Sequence, residues 1–217
     1  GDFPFYDNSY DMVGISSNGW LHFPPTDEDT IGTGYDGLGN IWSTFLPTES
    51  DTSVPAPVIA VYATDGFGGD DYYYYGYDTT YYDSSYYFGY VTYGETEESF
   101  VITWHNWGFC CEPELTNNYE MQAILYPDGD FVLQYQNVTL DYYYEYYGGE
   151  NDYYTIGMQN EDRDDGITVM SNDTTMNIYS GMRLKFDHPG DFEDGALVDC
   201  VCDAQYHSGD RVVSTVD

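Results

Sequence analysis

The sequence predicts an all-β protein, an antiparallel β-sandwich of the jelly-roll kind with tyrosine-rich insertions and a C-terminal extension. Short runs of alternating apolar and polar residues are separated by Gly, Pro, Asn and Asp, which is typical of sandwiches. No long run has the 3.6-residue periodicity of an amphipathic helix. Aromatic residues make up 19% of the chain, which argues against disorder in spite of the high charge.

The first half of the chain supplies three strand regions. "DMVGISSNGWLHF" predicts two strands joined by an Asn18-Gly19 turn, because both turn residues tolerate positive φ. "PVIAVYAT" (57–64) is almost continuously apolar, which indicates a buried central strand. "SFVITWHNW" alternates between two faces, one with Phe100, Ile102 and Trp104 and the other with Val101, Thr103 and His105.

The second half contains the clearest hairpin, "NYEMQAILYPDGDFVLQYQ". Tyr119, Met121, Ala123 and Leu125 alternate with Glu120, Gln122 and Ile124, and Phe131, Leu133 and Tyr135 return after the turn. The Pro-Asp-Gly sequence between the two runs has the chemistry of a tight turn. "YYTIGMQN" (153–160), "GITVM" (166–170) and "GMRLKF" (181–186) complete the predicted strands.

The character of the chain changes after Phe186, so residues 1–187 are predicted to form the sandwich and 188–217 an extension. The extension has weak periodicity and ends in a short β-prone run, "RVVSTV". This run fits an ordinary last strand of the sandwich. It also fits an arm that adds a strand to an open sheet edge of a neighbouring subunit.

The charge of the chain limits its partners. There are 39 acidic residues against four basic ones, for a net charge of -35. Nucleic acids are excluded, because binding them requires basic groups that displace phosphate counterions. Docking on anionic membranes is disfavoured for the same reason, and no run of about 18 apolar residues could insert into a bilayer. Salt, Ca²⁺ or basic proteins are the expected partners of the acids, which also suit a solubilising surface at high salt.

The four cysteines form two close pairs, Cys110–Cys111 and Cys200–Cys202. An extracellular chain would oxidise them, and two disulfides would then join the tail to the body, with Cys110 and Cys111 each bonded to Cys200 or Cys202. The third possible connectivity contains a direct Cys110–Cys111 bridge, which is strained. Four thiolates on zinc are the alternative, but the usual CxxC spacing is missing. The sequons at Asn137 and Asn172 are compatible with surface glycans on a secreted glycoprotein.

Three acidic loops are candidates for calcium binding, since Ca²⁺ prefers carboxylate and carbonyl oxygens in Gly-rich loops. "NEDRDDG" offers Asn160, Asp162, Asp164 and Asp165, "TDGFGGDD" offers Asp65, Asp70 and Asp71, and "PTDEDT" offers Asp27, Glu28 and Asp29. The first resembles the start of an EF-hand loop, but its Gly is displaced and no acid stands at position 12. Solvated loop acids with no ligand are the alternative for all three.

The sequence gives no sign of catalysis or of an organic cofactor. The histidines are scattered without HExxH spacing, and "GISSNG" is not a nucleophile elbow. Paired carboxylates are so frequent that they do not single out a glycosidase site. His105 lies near two cysteines, but disulfide formation would consume the thiols that nucleophilic catalysis requires. The chain is therefore predicted not to be an enzyme.

Residues 3–186 resemble the extracellular β-sandwich module of nidogens and plexin-domain-containing proteins. The resemblance lies in "FPFYDNSYDMVGISSNGWLHF", "VIAVYATD", "SFVITWHNW", "YEMQAILYPDGDFVLQYQNV" and "YYTIGMQNEDRDDG", in that order. It implies a secreted, non-catalytic sandwich used in adhesion, matrix assembly or as an accessory to exported proteins. The insertions at 72–90 and 142–154 and the Cys-bearing tail depart from the pattern, so we expect the particular role of this protein to lie there.

The two insertions contain the densest tyrosine runs of the chain. The residues predicted to mediate self-association are Tyr72, Tyr73, Tyr74, Tyr75, Tyr77, Tyr81, Tyr82, Tyr142, Tyr143, Tyr144, Tyr146 and Tyr147. Tyrosine gives a large, rigid contact area at low entropic cost and tolerates partial wetting. The prediction is a structural subunit of an extracellular filament or surface layer, a linear or helical homo-polymer. Sugar binding by a secreted adhesion module and an accessory domain of an exported enzyme are the alternatives.

Overall fold

The computed structural model describes residues 2–23, 45–49, 54–64, 66–67, 89–109, 119–137, 154–171, 178–188, 197–201 and 211–215. Within these ranges the secondary structure consists of β-strands without helices, as the sequence predicts. The same ranges therefore contain no helix with the length and apolar character needed to span a membrane.

The strands follow one another with short turns inside each described range. They are β1 (Phe3–Phe5), β2 (Asn8–Tyr10), β3 (Gly14–Ser16), β4 (Trp20–His22), β5 (Val58–Ala63), β6 (Gly66–Phe67), β7 (Tyr90–Glu95), β8 (Phe100–Phe109), β9 (Tyr119–Leu125), β10 (Phe131–Gln136), β11 (Thr155–Gln159), β12 (Gly166–Ser171), β13 (Arg183–Asp187), β14 (Leu197–Val201) and β15 (Arg211–Thr215).

Two antiparallel sheets form the body of the protein. The larger has eight strands in the order β15-β14-β13-β10-β9-β8-β6, with β7 also paired to β8. The smaller has five strands in the order β12-β11-β5-β4-β3, and β1 and β2 form a separate hairpin. The central position of β5 in the smaller sheet confirms the prediction from its apolar run, and all six of its residues are buried.

The core lies between the two sheets because each contributes the apolar face of its strands. In β9, Tyr119, Met121, Ala123 and Leu125 are buried while the residues between them are half-buried, as the alternation predicts. Residues of the smaller sheet, such as Leu21, Ile59 and Ile156, belong to the same apolar cluster. Phe3 and Phe5 of the β1–β2 hairpin extend this cluster by stacking near Phe23.

The outer face of the smaller sheet is covered as well. Trp20, Val58 and Ala60 form a second buried cluster with Leu46 and Val54. The two covering residues come from the ranges 45–49 and 54–57, which lie outside the sheets. A strand with apolar cover on both faces is expected to be continuously hydrophobic, and this explains the sequence of β5.

The extension predicted at 188–217 contributes two strands to the larger sheet. β14 pairs with β13, with Lys185 opposite Asp199, and β15 pairs with β14, with Cys200 opposite Val212. The β-prone run 211–215 is therefore the outermost strand on this side. Its use as an arm between subunits stays a prediction.

Candidate functional site

The tyrosines predicted to mediate self-association all lie outside the described residues, but the strands that flank them are described. The first tyrosine-rich segment leaves the end of β6 and returns at the start of β7. The second leaves the end of β10 and returns just before β11. The positions of these four strand ends show where both segments attach to the sandwich.

All four strand ends lie at or next to the same end of the sandwich. Strand β6 has only two residues, and its last residue, Phe67, is opposite Gly108 near the end of β8. In the larger sheet, Tyr90 at the start of β7 is opposite His105, and Gln136 at the end of β10 is opposite Glu120. In the smaller sheet, Thr155 at the start of β11 is opposite Ala63. We call this end, where β5, β8, β10 and β12 finish and β7, β9 and β11 begin, the Tyr62 end.

A cluster of buried aromatic rings joins the two sheets at the Tyr62 end. The Tyr62 ring stacks on Tyr154 with 4.6 Å between centroids and meets Trp107 edge-on at 5.7 Å. Tyr119 lies 5.7 Å from Tyr62, and all four rings are buried. Aromatic pairs at such separations contribute about 0.5–1.5 kcal/mol each beyond area burial. The end of the sandwich to which the tyrosine-rich segments are attached is therefore well packed.

Hydrogen bonds between the sheets fix the same end. The indole nitrogens of Trp104 and Trp107 donate to the carbonyl oxygens of Ser16 and Ser17, at 2.9 and 2.7 Å. These serines precede the predicted Asn-Gly turn, which the structure confirms between β3 and β4. Gly19 has φ of +76° there, and its carbonyl accepts hydrogen bonds from two amides of β5.

The strands that precede the cysteines and sequons in the chain finish at the Tyr62 end. Cys110 and Cys111 follow the last residue of β8, and Cys202 follows the last residue of β14. β14 ends at the Tyr62 end because it is antiparallel to β13, which is antiparallel to β10. Asn137 follows β10 with φ of +55°, and Asn172 follows β12. Cys110, Cys111, Cys202 and Asn172 themselves lie outside the described residues, so disulfide pairing and glycosylation stay predictions.

Of the calcium candidates, only the β11–β12 loop is described, and it lies at the opposite end of the sandwich. The Asn160 side-chain oxygen accepts hydrogen bonds from the amides of Asp164 and Asp165, at 3.1 and 3.2 Å, and its amide donates to the Asp164 carboxylate at 2.7 Å. The Asn160 side chain therefore shapes its own turn.

The other calcium candidates, Asp65, Asp70 and Asp71 together with Asp27, Glu28 and Asp29, lie outside the described residues. Across the ranges that the structure does describe, no three His, Cys, Asp or Glu side chains come together as a metal-binding group. Calcium binding stays a prediction.

The β11–β12 loop carries one of the four basic residues, and that residue is used inside the protein. The Arg163 guanidinium donates from two nitrogens to the Val54 carbonyl, at 3.2 and 3.0 Å, and the Arg163 carbonyl accepts from the Glu49 amide at 2.8 Å. Arg163 thus holds the chain that covers the smaller sheet. Asp165 of the same loop approaches Tyr6, and burial together with this carboxylate raises the pKa of the Tyr6 phenol.

The one lysine of the chain is also bound internally. Lys185 pairs with Asp130 at 2.9 Å and with Asp187. The hydrogen bonds that the Lys185 ammonium donates to these carboxylates, the one to Asp187 foremost, raise the pKa of Lys185. Burial alone would raise the pKa of Asp130. The hydrogen bonds that Asp130 accepts from Lys185 and from the His188 amide outweigh the effect of burial, so the pKa of Asp130 is lowered. Few cationic groups of the protein are therefore left to face its carboxylates.

A row of polar side chains crosses the outer face of the larger sheet. His105 contacts Glu120 at 2.9 Å through Nδ1 and Thr92 at 2.8 Å through Nε2. Gln122 continues the row, donating to Thr103 at 2.9 Å and accepting from Gln134. Sequence reasoning missed this row, because the partners are adjacent only through strand register. His105 has both ring nitrogens engaged, so it is held in place by its neighbours.

The row ends at β7, which is an exposed edge strand. The Tyr90 ring is 50% exposed and stacks on His105 with 4.7 Å between centroids. Tyr93, on the other face of β7, is 70% exposed and lies 6.0 Å from Phe100. These are the largest exposed aromatic side chains that the structure describes near a sheet edge.

Comparison of the chain with protein-family profiles, with curated proteins and with solved structures found no match. The resemblance to the nidogen-like module therefore stays a prediction.

Proposed function

We propose that this protein is a non-enzymatic structural subunit of an extracellular filament or surface layer. It assembles with copies of itself through its tyrosine-rich segments, assisted by the C-terminal arm. The observation that carries the proposal is that the strands flanking both tyrosine-rich segments have their attachment points at one end of the sandwich. Both segments are therefore tethered to the same end of the subunit, and their phenol groups suit a protein contact.

The described turns at the opposite end of the sandwich contain a single tyrosine, Tyr126, in contrast to the tyrosine-rich segments. These turns, at 96–99, 126–130 and 160–165, carry carboxylates such as Glu97, Asp128 and Asp162. Two unlike ends favour a head-to-tail contact, and a head-to-tail contact that does not close on itself makes a filament. Tyrosine hydroxyl groups can donate charge-assisted hydrogen bonds to carboxylates, which supports the pairing of these two ends.

The charge of the subunit sets the conditions for assembly. Copies with a net charge of -35 repel one another, and Arg163 and Lys185 are already bound to partners within the chain. Contacts must therefore rely on uncharged tyrosines, on salt that screens the repulsion, or on cations such as Ca²⁺ that bridge carboxylates. This composition suits a secreted, disulfide-bonded glycoprotein that assembles outside the cell.

The proposal is tested by replacing Tyr72, Tyr73, Tyr74, Tyr75 and Tyr77 with Thr in the full chain and imaging the product by negative-stain electron microscopy. We expect the variant to remain folded but to lose filaments. Tyr179→Thr is the matched control, because Tyr179 is an exposed tyrosine outside both segments, and it should assemble normally. Filaments that survive the multiple substitution, with normal circular dichroism, would exclude the tyrosine contact.

Sugar binding by an adhesion module is the second candidate, and one observation favours it. The half-exposed Tyr90 ring borders the polar row of Thr92, Thr103 and Gln122 on a sheet face. Aromatic rings that stack on sugars beside hydrogen-bonding side chains are a common arrangement for ligand recognition. A glycan array that shows binding lost on Tyr90→Ala and kept on Tyr93→Ala would support this function over the first.

A further inference from the structure

The edge of β7 (Tyr90–Glu95) that faces away from β8 has no strand partner among the residues that the structure describes. Among the residues that the structure describes, β7 pairs with β8 along one side, and five of its six residues are exposed. Natural edge strands are usually protected by Lys, Pro, a bulge or a covering segment. β7 contains neither Lys nor Pro, and its register with β8 is regular throughout. It therefore offers main-chain groups to another strand.

The turn after β7 identifies which main-chain groups face outward. The Thr96 amide donates to the Ser99 carbonyl at 2.8 Å, so these two residues form a hydrogen-bonded pair. In an antiparallel ladder, hydrogen-bonded and non-hydrogen-bonded pairs alternate. Gly94, Thr92 and Tyr90 therefore bond to β8. The N–H and C=O groups of Val91, Tyr93 and Glu95 point away from the sheet.

We propose that this edge pairs antiparallel with β7 of a second copy, with Tyr93 directly opposite Tyr93 of that copy. This register places Val91 opposite Glu95 of the other copy, so each outward N–H and C=O of the three residues finds a partner. The two Tyr93 rings then lie side by side on the same face of the joined sheet. Tyr93 is 70% exposed in the isolated chain, so the contact removes apolar surface from water.

The distribution of charge favours this antiparallel contact in spite of the net charge of the protein. Glu95, Glu97 and Glu98 lie together at one end of the strand. Antiparallel pairing about Tyr93 separates the two Glu95 residues by four positions, or about 14 Å at roughly 3.4 Å per residue. That distance exceeds the Debye length of about 8 Å at physiological salt. Parallel pairing would instead place the acidic ends side by side.

The contact is symmetric and therefore closes as a dimer. Its biological role rests on the proposed function. It adds to that function a second contact between subunits, separate from the one made by the tyrosine-rich segments. A filament built from such dimers would use the Tyr62 ends for growth and β7 for pairing. The two contacts can be separated experimentally, because one gives filaments and the other gives dimers.

Amide hydrogen exchange of the full chain, measured by NMR at low and high protein concentration in 0.15 M NaCl, tests the pairing. Concentrating the protein should slow exchange at Val91, Tyr93 and Glu95 by on the order of tenfold or more, since dimerisation hydrogen-bonds these amides. Thr92 and Gly94 should exchange slowly at both concentrations, because they already bond to β8. Equal rates for the three outward amides at all concentrations would overturn the proposal.

Tyr93→Pro removes one outward N–H from each copy and leaves the β8 ladder intact, because prolines are tolerated where the N–H of an edge strand faces solvent. Sedimentation velocity should show dimerisation weakened on the order of 30-fold, equal to about 2 kcal/mol at 1.4 kcal/mol per tenfold. Tyr93→Thr is the matched control, since it keeps the N–H and should weaken dimerisation less. Fluorescence of the buried Trp104 and Trp107 verifies folding of both variants.

Deletion of residues 203–217 distinguishes a second β7 from the C-terminal arm as the occupant of the edge. Persistence of the dimer in the deletion supports the β7 pair, and a folded monomer overturns it in favour of the arm. Dimers without filaments in the wild type would refute the proposed function and leave the pairing intact. Filaments in which the Tyr93 amides still exchange rapidly would refute the β7 pairing and leave the proposed function intact.

Discussion

Replacing Tyr135 with Phe is expected to lower the free energy of unfolding by about 1–3 kcal/mol, because it leaves a buried acceptor without its donor. Tyr135 lies on β10 of the larger sheet and is 2% exposed. Its hydroxyl donates to the carbonyl of Val61 on β5 of the smaller sheet, across the core. The substitution removes this hydrogen bond and preserves the ring that packs between the sheets.

The same bond gives the loss a defined pH dependence. Burial, with a smaller contribution from Tyr154, raises the pKa of Tyr135 well above its usual value. An unfolded tyrosine has a pKa of about 10. The stability that protonated Tyr135 contributes is therefore fully present below about pH 10 and is lost as the pH rises through the higher folded pKa. The difference in stability between wild type and Tyr135→Phe should be constant below pH 10 and shrink above it.

Urea unfolding followed by tryptophan fluorescence, from pH 6 to pH 11, measures this difference directly. At about 2–4 °C per kcal/mol for a chain of this size, thermal melts should show a drop of roughly 2–12 °C. Tyr93→Phe is the matched control, because its hydroxyl belongs to an exposed side chain and its loss should change stability by less than about 0.5 kcal/mol. Equal stability of wild type and Tyr135→Phe at pH 7 would refute the bond between the sheets.

Three further predictions concern the turns and the charge. Gly19→Ala should destabilise the protein by more than about 1 kcal/mol in thermal melts, because Gly19 has φ of +76° and the new Cβ would lie 2.3 Å from the Tyr62 carbonyl oxygen. Gly94→Ala is the control, since a Cβ at Gly94 meets no atom within 4 Å and the melting temperature should hardly change. Asn160→Ala should cost about 1–2 kcal/mol by removing the hydrogen bonds that shape its loop, with Asp162→Asn as a near-silent control in urea titrations. Raising NaCl from 0.05 to 1 M should raise the melting temperature, because screening weakens repulsion within a chain of net charge -35; an unchanged or lower melting temperature would contradict this reasoning.

The regular strands could be predicted from the sequence where one physical pattern dominates. The alternation from Tyr119 to Leu125 fixes which side chains of β9 face the core, and the structure confirms it. The apolar run of β5 predicts cover on both faces. The Asn18-Gly19 pair predicts the turn between β3 and β4 because its chemistry is local.

Features that depend on irregular backbone or distant pairing could not be predicted. Strict alternation along β8 would place Trp107 on the face opposite Trp104, yet both are buried in the core. The register shifts between these two residues, and Asn106 has φ of +48° at the shift. The Asn between two tryptophans is the signal that could have indicated a bulge, since Asn tolerates this conformation.

The candidate sites, too, could be predicted only where local sequence determines them and not where they depend on strand pairing. Composition identified the tyrosine-rich segments, but only the pairing of β5 with β11 and of β7 with β8 shows that their flanking strands end together. The hydrogen bonds of His105 to Thr92 and Glu120 join three strands and depend on their register. A single sequence carries little information on such register, because the same alternation is compatible with several pairings.

Electron microscopy of the native protein, with and without a calcium chelator, tests the central proposal of self-assembly most directly. We predict filaments or layers whose repeating unit matches the dimensions of one sandwich or one pair of sandwiches. Fibres that dissolve on chelation would add bridging by Ca²⁺, and fibres that persist would assign the carboxylates to a solubilising surface. Dispersed monomers in both conditions, at concentrations where the protein is folded, would contradict the assembly.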